Sequence, residues 1–228
     1  MNMIYIYILS PVLELSMQAR AKPAVQRRSR DTRDRIIRAL GELLVEHKFD
    51  SISISDIAMR AKVSPASIYQ RFENKDAATS ILIELYILRV SEWYHASRGP
   101  DLTRASCLRE AFIEIAMSAW QQFDELQHIM RPAYLYSRLR PDLLGQHWRA
   151  REEEVLHGFE RLLEQYSDEI QRKDLSRAAS MVAYFFNMMF LGRLLHTDAA
   201  SSWNVPTNPE EFAQELADFL MGFLTTPD

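Results

Sequence analysis

From residue 31 onward, apolar residues recur at the three- and four-residue spacing of an α-helix. No segment shows the apolar–polar alternation that is typical of a half-buried strand. Only six glycines occur among 228 residues, so the chain has few of the turn signals that a sheet requires. The pattern predicts an all-α fold. Its first apolar stripe, which predicts a helix over residues 31–46, consists of Ile36, Ile37, Leu40, Leu43 and Leu44.

Prolines and polar connectors divide the periodic region into about nine predicted helices. The breaks fall at Pro132, Pro141, Asp174 and the segment 206–209. A chain of this length can bury a sizeable core. After residues 31–46, the predicted helices cover residues 53–60, 64–71, 74–97, 102–123, 125–138, 141–166, 174–197 and 208–224.

The first 26 residues are expected to form a tail outside the fold, either disordered or arising from a misassigned start codon. The apolar run at residues 1–9 has no Lys or Arg before it, unlike a signal peptide. It is also shorter than the roughly 20 apolar residues that span a bilayer. We expect translation to begin at Met17, which the intact mass of natively expressed protein would test.

The single cysteine, Cys107, cannot form a disulfide within the chain. This favours a reducing compartment, and we expect the protein to be cytoplasmic. A redox-sensing role for the thiol is the alternative to packing as a small apolar side chain.

Charge is distributed unevenly along the sequence. Residues 20–75 contain thirteen Lys and Arg but seven Asp and Glu, while the whole chain has a formal net charge of −4. The N-terminal region is therefore basic on an otherwise acidic protein. This asymmetry indicates an anionic partner at that end, although a solvated charged face would give the same count.

Residues 53–72 predict two short helices joined by a tight turn. Ser53 and Asp56 have the spacing of a capping box, with aspartate in place of the usual glutamate. Ser64 followed by Pro65 is typical of an N-cap and the first helical position. Together these signals predict a helix-turn-helix. The expected core of the motif consists of Ile57, Val63, Ile68 and Phe72, with the small Ala58 at the closest approach of the helices.

A helix-turn-helix places its second helix, here residues 64–71, in the major groove of DNA. The N–H groups and partial positive charge at the start of that helix suit phosphate or base acceptors. Lys75, near the start of the next helix, would be a phosphate clamp. Arg27, Arg28 and Arg30 precede the predicted first helix and would form an arm along the backbone or minor groove.

The motif belongs to a longer residue pattern that runs from Ile36 to about Tyr86. It includes Phe49, Ser53, Asp56, Ile57, Ala58, Ala61, Val63, Ser64, Ile68, Tyr69, Phe72, Asn74, Lys75, Asp76 and Ala77. This pattern resembles the DNA-binding domain of the TetR/AcrR family of transcriptional regulators. The resemblance implies that Tyr69 and Lys75 contact phosphates. It also implies that base edges or adjacent phosphates are faced by Pro65, Ala66, Ser67, Gln70 and Arg71.

Ser53 and Ser64 complete the predicted DNA-contacting set. Of this set, Gln70 and Arg71 are expected to carry the most sequence information, because short side chains such as those of Ala66 and Ser67 discriminate bases weakly. The sequence departs from the family at Lys62, where the turn usually has glycine. A positive φ there would cost on the order of 1 kcal/mol, which a phosphate contact by the lysine could offset. An exposed lysine without such a contact is the equal alternative.

The C-terminal region predicts a dimer. Residues 181–191 are apolar on all sides except Asn187, which predicts burial on all sides, against both this chain and a partner. The resemblance implies a homodimer, formed through a bundle of the last two long helices, that reads a roughly palindromic site. The predicted interface residues are Tyr184, Phe185, Met188, Met189, Phe212, Leu216, Phe219, Leu220 and Phe223.

A pocket for a small molecule is expected among residues 75–170, because the family's mechanism uses a ligand that shifts the two DNA-reading domains. Large apolar and aromatic side chains line most ligand sites, although a plain hydrophobic core uses the same residues. The candidate lining residues are Trp93, Met117, Trp120, Phe123, Met130, Tyr134, Tyr136 and Trp148.

An enzyme is the competing class of function. Glu125 with His128 and Glu154 with His157 have the Glu-x-x-His spacing of di-iron bundles, and Glu84, Glu92, Glu110 or Glu114 could supply further ligands. Acidic helices also produce this spacing by chance, and residues 151–154 are expected to be a solvated face. No nucleotide-binding loop or hydrolase motif is present. A helical interaction module is the remaining alternative.

Together these features predict three segments: a tail at 1–26, a helix-turn-helix DNA-binding domain at 27–76, and a helical ligand-binding and dimerisation domain at 77–228. We expect a transcriptional regulator without catalytic activity, metal or cofactor. It would bind palindromic double-stranded DNA and, as a repressor, leave its operator when a small molecule binds. Operator, effector and regulated genes do not follow from the sequence, and activation is the alternative to repression.

Overall fold

The computed structural model describes residues 23–72, 76–96, 99–195 and 206–227. Within these ranges the chain forms eight α-helices and no strand, so the all-α prediction is confirmed. Four short 3-10 turns occur at Phe49–Ser51, Leu102–Arg104, Pro141–Leu143 and Ser167–Glu169. The helices are α1 Pro23–Glu46, α2 Ile54–Ala61, α3 Pro65–Tyr69, α4 Ala77–His95, α5 Leu108–Leu139, α6 Gln146–Gln165, α7 Leu175–Leu195 and α8 Pro209–Leu224.

One long helix, α5, replaces the two helices predicted over residues 102–123 and 125–138. It passes through Pro132, which has no N–H to donate to the preceding turn. The residues beside the proline, Ile129, Met130 and Ala133, are almost completely buried. Their packing therefore maintains the helix across a position where propensity alone would end it.

The first helix begins at Pro23 rather than at residue 31. Proline is well suited to the first turn of a helix, where no N–H donor is needed. Arg27, Arg28 and Arg30 therefore lie within α1, and the expectation that they precede the first helix is wrong. The predicted start at Met17 lies outside the described residues.

The described chain divides into two compact units. The first, called the N-terminal unit, comprises residues 23–72, 76–90 and 126–148. Its core includes fully buried Ile36, Leu40, Ile57, Ile68 and Leu85. A Cβ at Gly41 in α1 would meet the Leu85 side chain at 3.4 Å, which is ordinary van der Waals contact, so α1 packs directly against α4 at this position.

The second, called the C-terminal unit, comprises residues 91–96, 99–125, 149–195 and 206–227. Its core is a chain of aromatic rings on α5, α6, α7 and α8. Phe190 is 1% exposed, and its ring centroid lies 5.1 Å from that of Phe123, 4.9 Å from Phe186 and 5.2 Å from Phe212. Trp120 extends the chain through Phe212 at 5.3 Å. These distances are typical of favourable edge-to-face or tilted aromatic pairs.

Among the described residues, no helix is both long enough and apolar enough to span a membrane. The thiol of Cys107 is free and half-buried, and it directly precedes the first residue of α5.

Candidate DNA-binding surface and ligand cavity

The start of α2 is fixed by a capping box. Ser53 Oγ accepts the N–H of Asp56 at 3.2 Å, and the Asp56 carboxylate accepts the N–H of Ser53 at 2.8 Å and its hydroxyl at 2.6 Å. These hydrogen bonds, first that from the Ser53 side chain, lower the pKa of Asp56. The predicted cap is confirmed, with aspartate in the place of glutamate.

The turn after α2 passes through Lys62 in the left-handed region, with φ 55° and ψ 49°. Among the described residues, no other non-glycine has a positive φ. The next residue, Val63, donates its N–H to the Ala58 carbonyl at 3.0 Å and closes the turn. The expectation of a positive φ at Lys62 is confirmed, and its side chain is exposed.

The start of α3 is capped by Ser64, whose Oγ accepts the N–H of Ser67 at 3.2 Å, with Pro65 in the first turn. Ile68 and Phe72 are buried in the core of the motif. The opposite side of α3 exposes Pro65, Ala66, Tyr69 and Gln70, while Ser67 and Arg71 are half-buried. The motif therefore presents a short helix with one face free for a groove.

Arg71 lies back against its own helix. Its Nη1 donates to the Ser67 carbonyl at 2.8 Å, and its Nε is buried without a hydrogen bond to any described residue. The side chain thus closes the C-terminal turn of α3. Of the two residues expected to carry sequence information, only Gln70 presents an exposed side chain.

Several cations of the N-terminal unit form ion pairs within it. Arg60 donates to Glu46 at 3.1 and 3.2 Å, and this pairing lowers the pKa of Glu46. Arg33 pairs with Glu84, and its guanidinium carbon lies 5.6 Å from the centre of the Phe72 ring. Arg30, Arg35 and Arg38 are exposed on α1, and Lys62 is exposed in the turn after α2. The side chains of Arg27 and Arg28, and residues Asn74 and Lys75, lie outside the described part.

The C-terminal end of α5 contacts the 3-10 turn that precedes α2, which the sequence did not indicate. The hydroxyl of Tyr136 donates to the Asp50 carboxylate, and its ring meets Phe49 edge to face at 4.9 Å. The bond to Asp50 raises the pKa of Tyr136. One turn further along, Arg140 pairs with Asp76 next to the start of α4. The partners lie far apart in sequence, so no local pattern indicates them.

The C-terminal unit contains an open cavity of about 800 Å³. Of the eight predicted pocket residues, Met117 and Trp120 line it. The other lining residues are mostly polar or charged, whereas the sequence-based prediction named only apolar and aromatic side chains. They are Gly99, Pro100, Asp101, Glu114, Ser118, Gln121, Asp124, Glu125, Arg193, Thr207 and Pro209.

The six remaining predicted pocket residues do not line this cavity. Tyr134 and Trp148 pack with Tyr86, with ring centroids 5.2–5.9 Å apart. Tyr136 packs on Phe49, as described above, and Phe123 packs on Phe190. Trp93 and Met130 are buried. In these six residues, large apolar side chains at helical spacing pack against other side chains and do not line this cavity.

Two residues of the segment expected to be a solvated face, Arg151 and Glu154, are mostly buried, with side chains 16% and 12% exposed. Burial raises the pKa of Glu154. The guanidinium carbon of Arg151 lies 5.3 Å from the centre of the Tyr94 ring. Among the described residues, no three His, Cys, Asp or Glu side chains lie together as a group that could hold a metal ion.

Helix α7 is buried on one side only. Val182, Phe186 and Phe190 face the core, whereas Tyr184 is 57% and Met189 38% exposed. On α8, Phe219 is 47% exposed, and its ring lies 5.3 Å from that of half-buried Phe185. We call the residues Tyr184, Phe185, Met188, Met189, Phe219 and Phe223 the α7–α8 apolar face.

Three other predicted interface residues, Phe212, Leu216 and Leu220, are at most 6% exposed in this chain's own core. They pack within this chain, and their participation in an interface stays a prediction. The stripe at helical spacing on α8 serves the core of the C-terminal unit, and only its flank reaches the surface.

Comparison with known proteins supports the interpretation of the N-terminal motif. Residues 36–77 match the sequence pattern of "Bacterial regulatory proteins, tetR family". This segment is therefore similar to the N-terminal domain of that family. The resemblance to TetR-family regulators is thus confirmed over the region that contains the helix-turn-helix. No curated protein matches the chain in sequence.

The fold extends this likeness over most of the chain. A bacterial regulatory protein in the tetR family from Rhodococcus RHA1 has a TM-score of 0.54 at 13% identity, with 86% of this chain and 98% of that protein covered. GusR of Salmonella enterica has a TM-score of 0.55 at 20% identity, with coverages of 85% and 95%. A protein of unknown function from Rhodococcus sp. RHA1 has a TM-score of 0.61 at 19% identity, with coverages of 86% and 96%. At these identities the likeness shows the fold alone.

Proposed function

We propose that this protein is a homodimeric, sequence-specific DNA-binding repressor that a small molecule releases from a palindromic operator. The helix-turn-helix geometry supports the proposal most directly: both helices are capped, their inner faces are buried, and the outer face of α3 is exposed. A short exposed helix of this kind fits the major groove. The proposal includes a cytoplasmic location, where the DNA is.

Base reading is assigned to Gln70 and phosphate contact to Tyr69. Tyr69 is 52% exposed and lies next to Gln70 at the end of α3. Glutamine can form a bidentate pair with adenine, worth about 1–3 kcal/mol of discrimination against other bases. Pro65, Ala66 and Ser67 would approach the bases more closely but offer short or weakly discriminating side chains. The phosphate backbone would be contacted by Ser53, Ser64, Lys75 and the arginines Arg27, Arg28 and Arg30.

Selection of bound DNA from a random pool tests the proposal. We expect enrichment of a two-fold symmetric site, because two copies of the motif would read its half-sites. The variant Gln70→Ala should relax the preference at particular base pairs. Gln127→Ala, an exposed glutamine on α5, is the matched control and should leave the site unchanged. Failure to enrich any sequence would contradict the proposal.

Arg71 is expected to behave differently from Gln70. Because it bonds the Ser67 carbonyl, its loss should loosen the end of α3 and weaken binding to all sequences alike. Lys75→Ala should also weaken binding to all sequences. The slope of the logarithm of the binding constant against the logarithm of the salt concentration should become less steep by about one unit, as expected for the loss of one phosphate contact. A shifted base preference in Arg71→Ala would show that the side chain reads DNA after all.

The α7–α8 apolar face is the proposed dimer interface. Its exposed aromatic and methionine side chains lie side by side on two adjacent helices. A contiguous apolar surface of this kind marks an interaction site in soluble proteins. Sedimentation analysis should show a dimer for the parent protein and a monomer for the double variant Tyr184→Ser, Phe219→Ser. The exposed Val45→Ser on α1 is the control, and a variant pair that stays dimeric would reject this interface.

The cavity of the C-terminal unit is the proposed effector site. Its volume of about 800 Å³ lies within the range of small-molecule pockets. For the effector to release DNA, it must bind more tightly to the conformation that does not bind the operator. Competition between ligand and operator DNA, measured by fluorescence anisotropy of labelled DNA, tests this step.

A further inference from the structure

The cavity wall on α5 repeats at helical spacing. Glu114, Met117, Gln121 and Glu125 follow one another at intervals of three or four residues and therefore share one helix face. Ser118 lies on the same face. Trp120, which is 5% exposed, contributes its ring to the lining. One wall thus combines carboxylates, an amide and large apolar groups.

The charges in the lining are unequal. Among the lining residues that the structure describes, Asp101, Glu114, Asp124 and Glu125 are carboxylates, and Arg193 is the one cation. Asp101 accepts a hydrogen bond from the N–H of Thr103, and Glu125 accepts one from Gln121 at 3.3 Å. By contrast, half-buried Glu114 makes no hydrogen bond or ion pair with the described residues. The described part of the lining therefore carries more carboxylates than cations, and one of these carboxylates, Glu114, has no partner among the described residues.

The position of Arg193 shows which kind of group the ring of Trp120 accepts. The guanidinium carbon of Arg193 lies 3.1 Å from the centre of the Trp120 ring, and its Nη2 donates to Asp124 at 3.2 Å. A planar cation over an aromatic face is attracted by the negative potential that the ring quadrupole produces at that face, more strongly where water is excluded. Burial lowers the pKa of Arg193, which indicates that its charge is partly desolvated at this position. The chain thus holds a cation of its own against Trp120.

We propose that the cavity binds a flat organic cation, whose charge takes the position of the Arg193 guanidinium over Trp120 and is balanced by Glu114 and Asp124. The inference rests on the proposed function of the cavity as an effector site, and it adds the chemical class of the effector. An anionic ligand would place its charge beside the carboxylates of Glu114, Asp124 and Glu125, so the lining discriminates against it. A ligand cation displaces Arg193 from Trp120, and Arg193 therefore competes with the ligand for this position.

The experiment uses three probes of nearly equal shape: 1-pyrenemethylammonium, 1-pyrenemethanol and 1-pyrenecarboxylate. Binding to the full chain is followed by the fluorescence anisotropy of the pyrene. We expect the ammonium probe to bind at least about tenfold more tightly than the alcohol, and the carboxylate to bind most weakly. Equal affinities for the three probes, a preference for the carboxylate, or no binding of the ammonium probe would overturn the proposal.

Two substitutions should act in opposite directions on the ammonium probe. Glu114→Gln keeps the shape but removes the charge, and should weaken binding about fivefold or more. Arg193→Met removes the internal competitor and should strengthen binding by a similar factor. Glu153→Gln, an exposed carboxylate on α6 outside the cavity, is the matched control and should change nothing. If Arg193→Met weakens cation binding while thermal unfolding shows an intact fold, the arginine is not a competitor and the proposal fails.

Adding operator DNA separates this inference from the proposed function. If the ammonium probe binds with the expected preference but does not release DNA, the inference stands and the proposed release mechanism fails. If only the carboxylate releases DNA, the release mechanism stands and the proposed ligand class is wrong.

Discussion

The helix-turn-helix and the ligand cavity differ in how their geometry is encoded. In the motif, the defining hydrogen bonds join residues three to five positions apart, such as Ser53 to Asp56 and Val63 to Ala58. In the cavity, the defining contact joins Arg193 to Asp124, which are 69 positions apart. The first geometry is specified by neighbouring residues, whereas the second depends on the packing of complete helices. The difference implies that substitutions should act locally in the motif and over the whole unit around the cavity.

The largest effect is expected from Phe190→Ala. This ring contacts three others in the C-terminal core, so its removal leaves a large cavity and should lower the free energy of unfolding by about 3–5 kcal/mol. Chemical denaturation measures the change. Leu139→Ala on α5 removes an exposed apolar side chain and is the control, with an expected change of less than about 0.5 kcal/mol. A loss below about 1 kcal/mol in Phe190→Ala would show that this core is not as tightly packed as described.

Ser53→Ala should have an intermediate, local effect. It removes the hydroxyl that caps α2 and should lower stability by about 1 kcal/mol. Denaturation gives the stability, and hydrogen exchange of the α2 amides should show that the loss is confined to this helix. A combined Ser53→Ala, Asp56→Ala variant should lose less than the sum of the single variants, since the two residues form one box.

The same capping box predicts a dependence on pH. Asp56 has a lowered pKa in the folded protein, so its contribution to stability is present above its unfolded pKa of about 4 and is lost as the pH falls through the lower folded value. Ser53→Ala removes the main cause of the shift and should make the stability less dependent on pH in this acidic range. Denaturation curves at pH 3 and pH 7 test this, and an unchanged pH dependence would contradict it.

The smallest effect is expected from Lys62→Gly. Glycine adopts a positive φ without strain, although it also gains freedom in the unfolded chain, so the net stabilisation should be no more than about 1 kcal/mol. Lys62→Ala keeps the strain and is the control. DNA affinity distinguishes the two roles of the lysine: weaker binding by both variants indicates a phosphate contact, and unchanged binding indicates an exposed lysine without one.

The sequence predicted the motif well because its signals are local. The caps at Ser53 and Ser64 and the buried Ile68 and Phe72 follow from residue type and short spacing. The left-handed turn at Lys62 was instead implied by the family resemblance, because the residue type alone disfavours it. The resemblance implied that Gln70 and Arg71 both face DNA, but it did not show that Arg71 bonds Ser67, because the orientation of a long side chain depends on its surroundings. The DNA contacts themselves remain predictions.

The sequence was less informative about the C-terminal unit. Helical spacing predicted apolar faces on α7 and α8, but it did not show which apolar residues face the core and which face outward. It therefore grouped Phe212, which is buried in this chain, with Phe219, which is exposed. The same limit applies to the cavity. Apolar residue type does not distinguish a packed ring such as Trp148 from a lining ring such as Trp120, because both lie on helices and both are large.

The free thiol of Cys107 gives the chain a single site for thiol-specific labelling, directly before α5. A nitroxide attached there would place one spin on each chain, and a homodimer would therefore show one distance between spins. That distance could be measured with and without operator DNA, and again with the pyrene cation. Spectroscopy could thus follow the proposed switch between states without any change to the residues that read DNA or line the cavity.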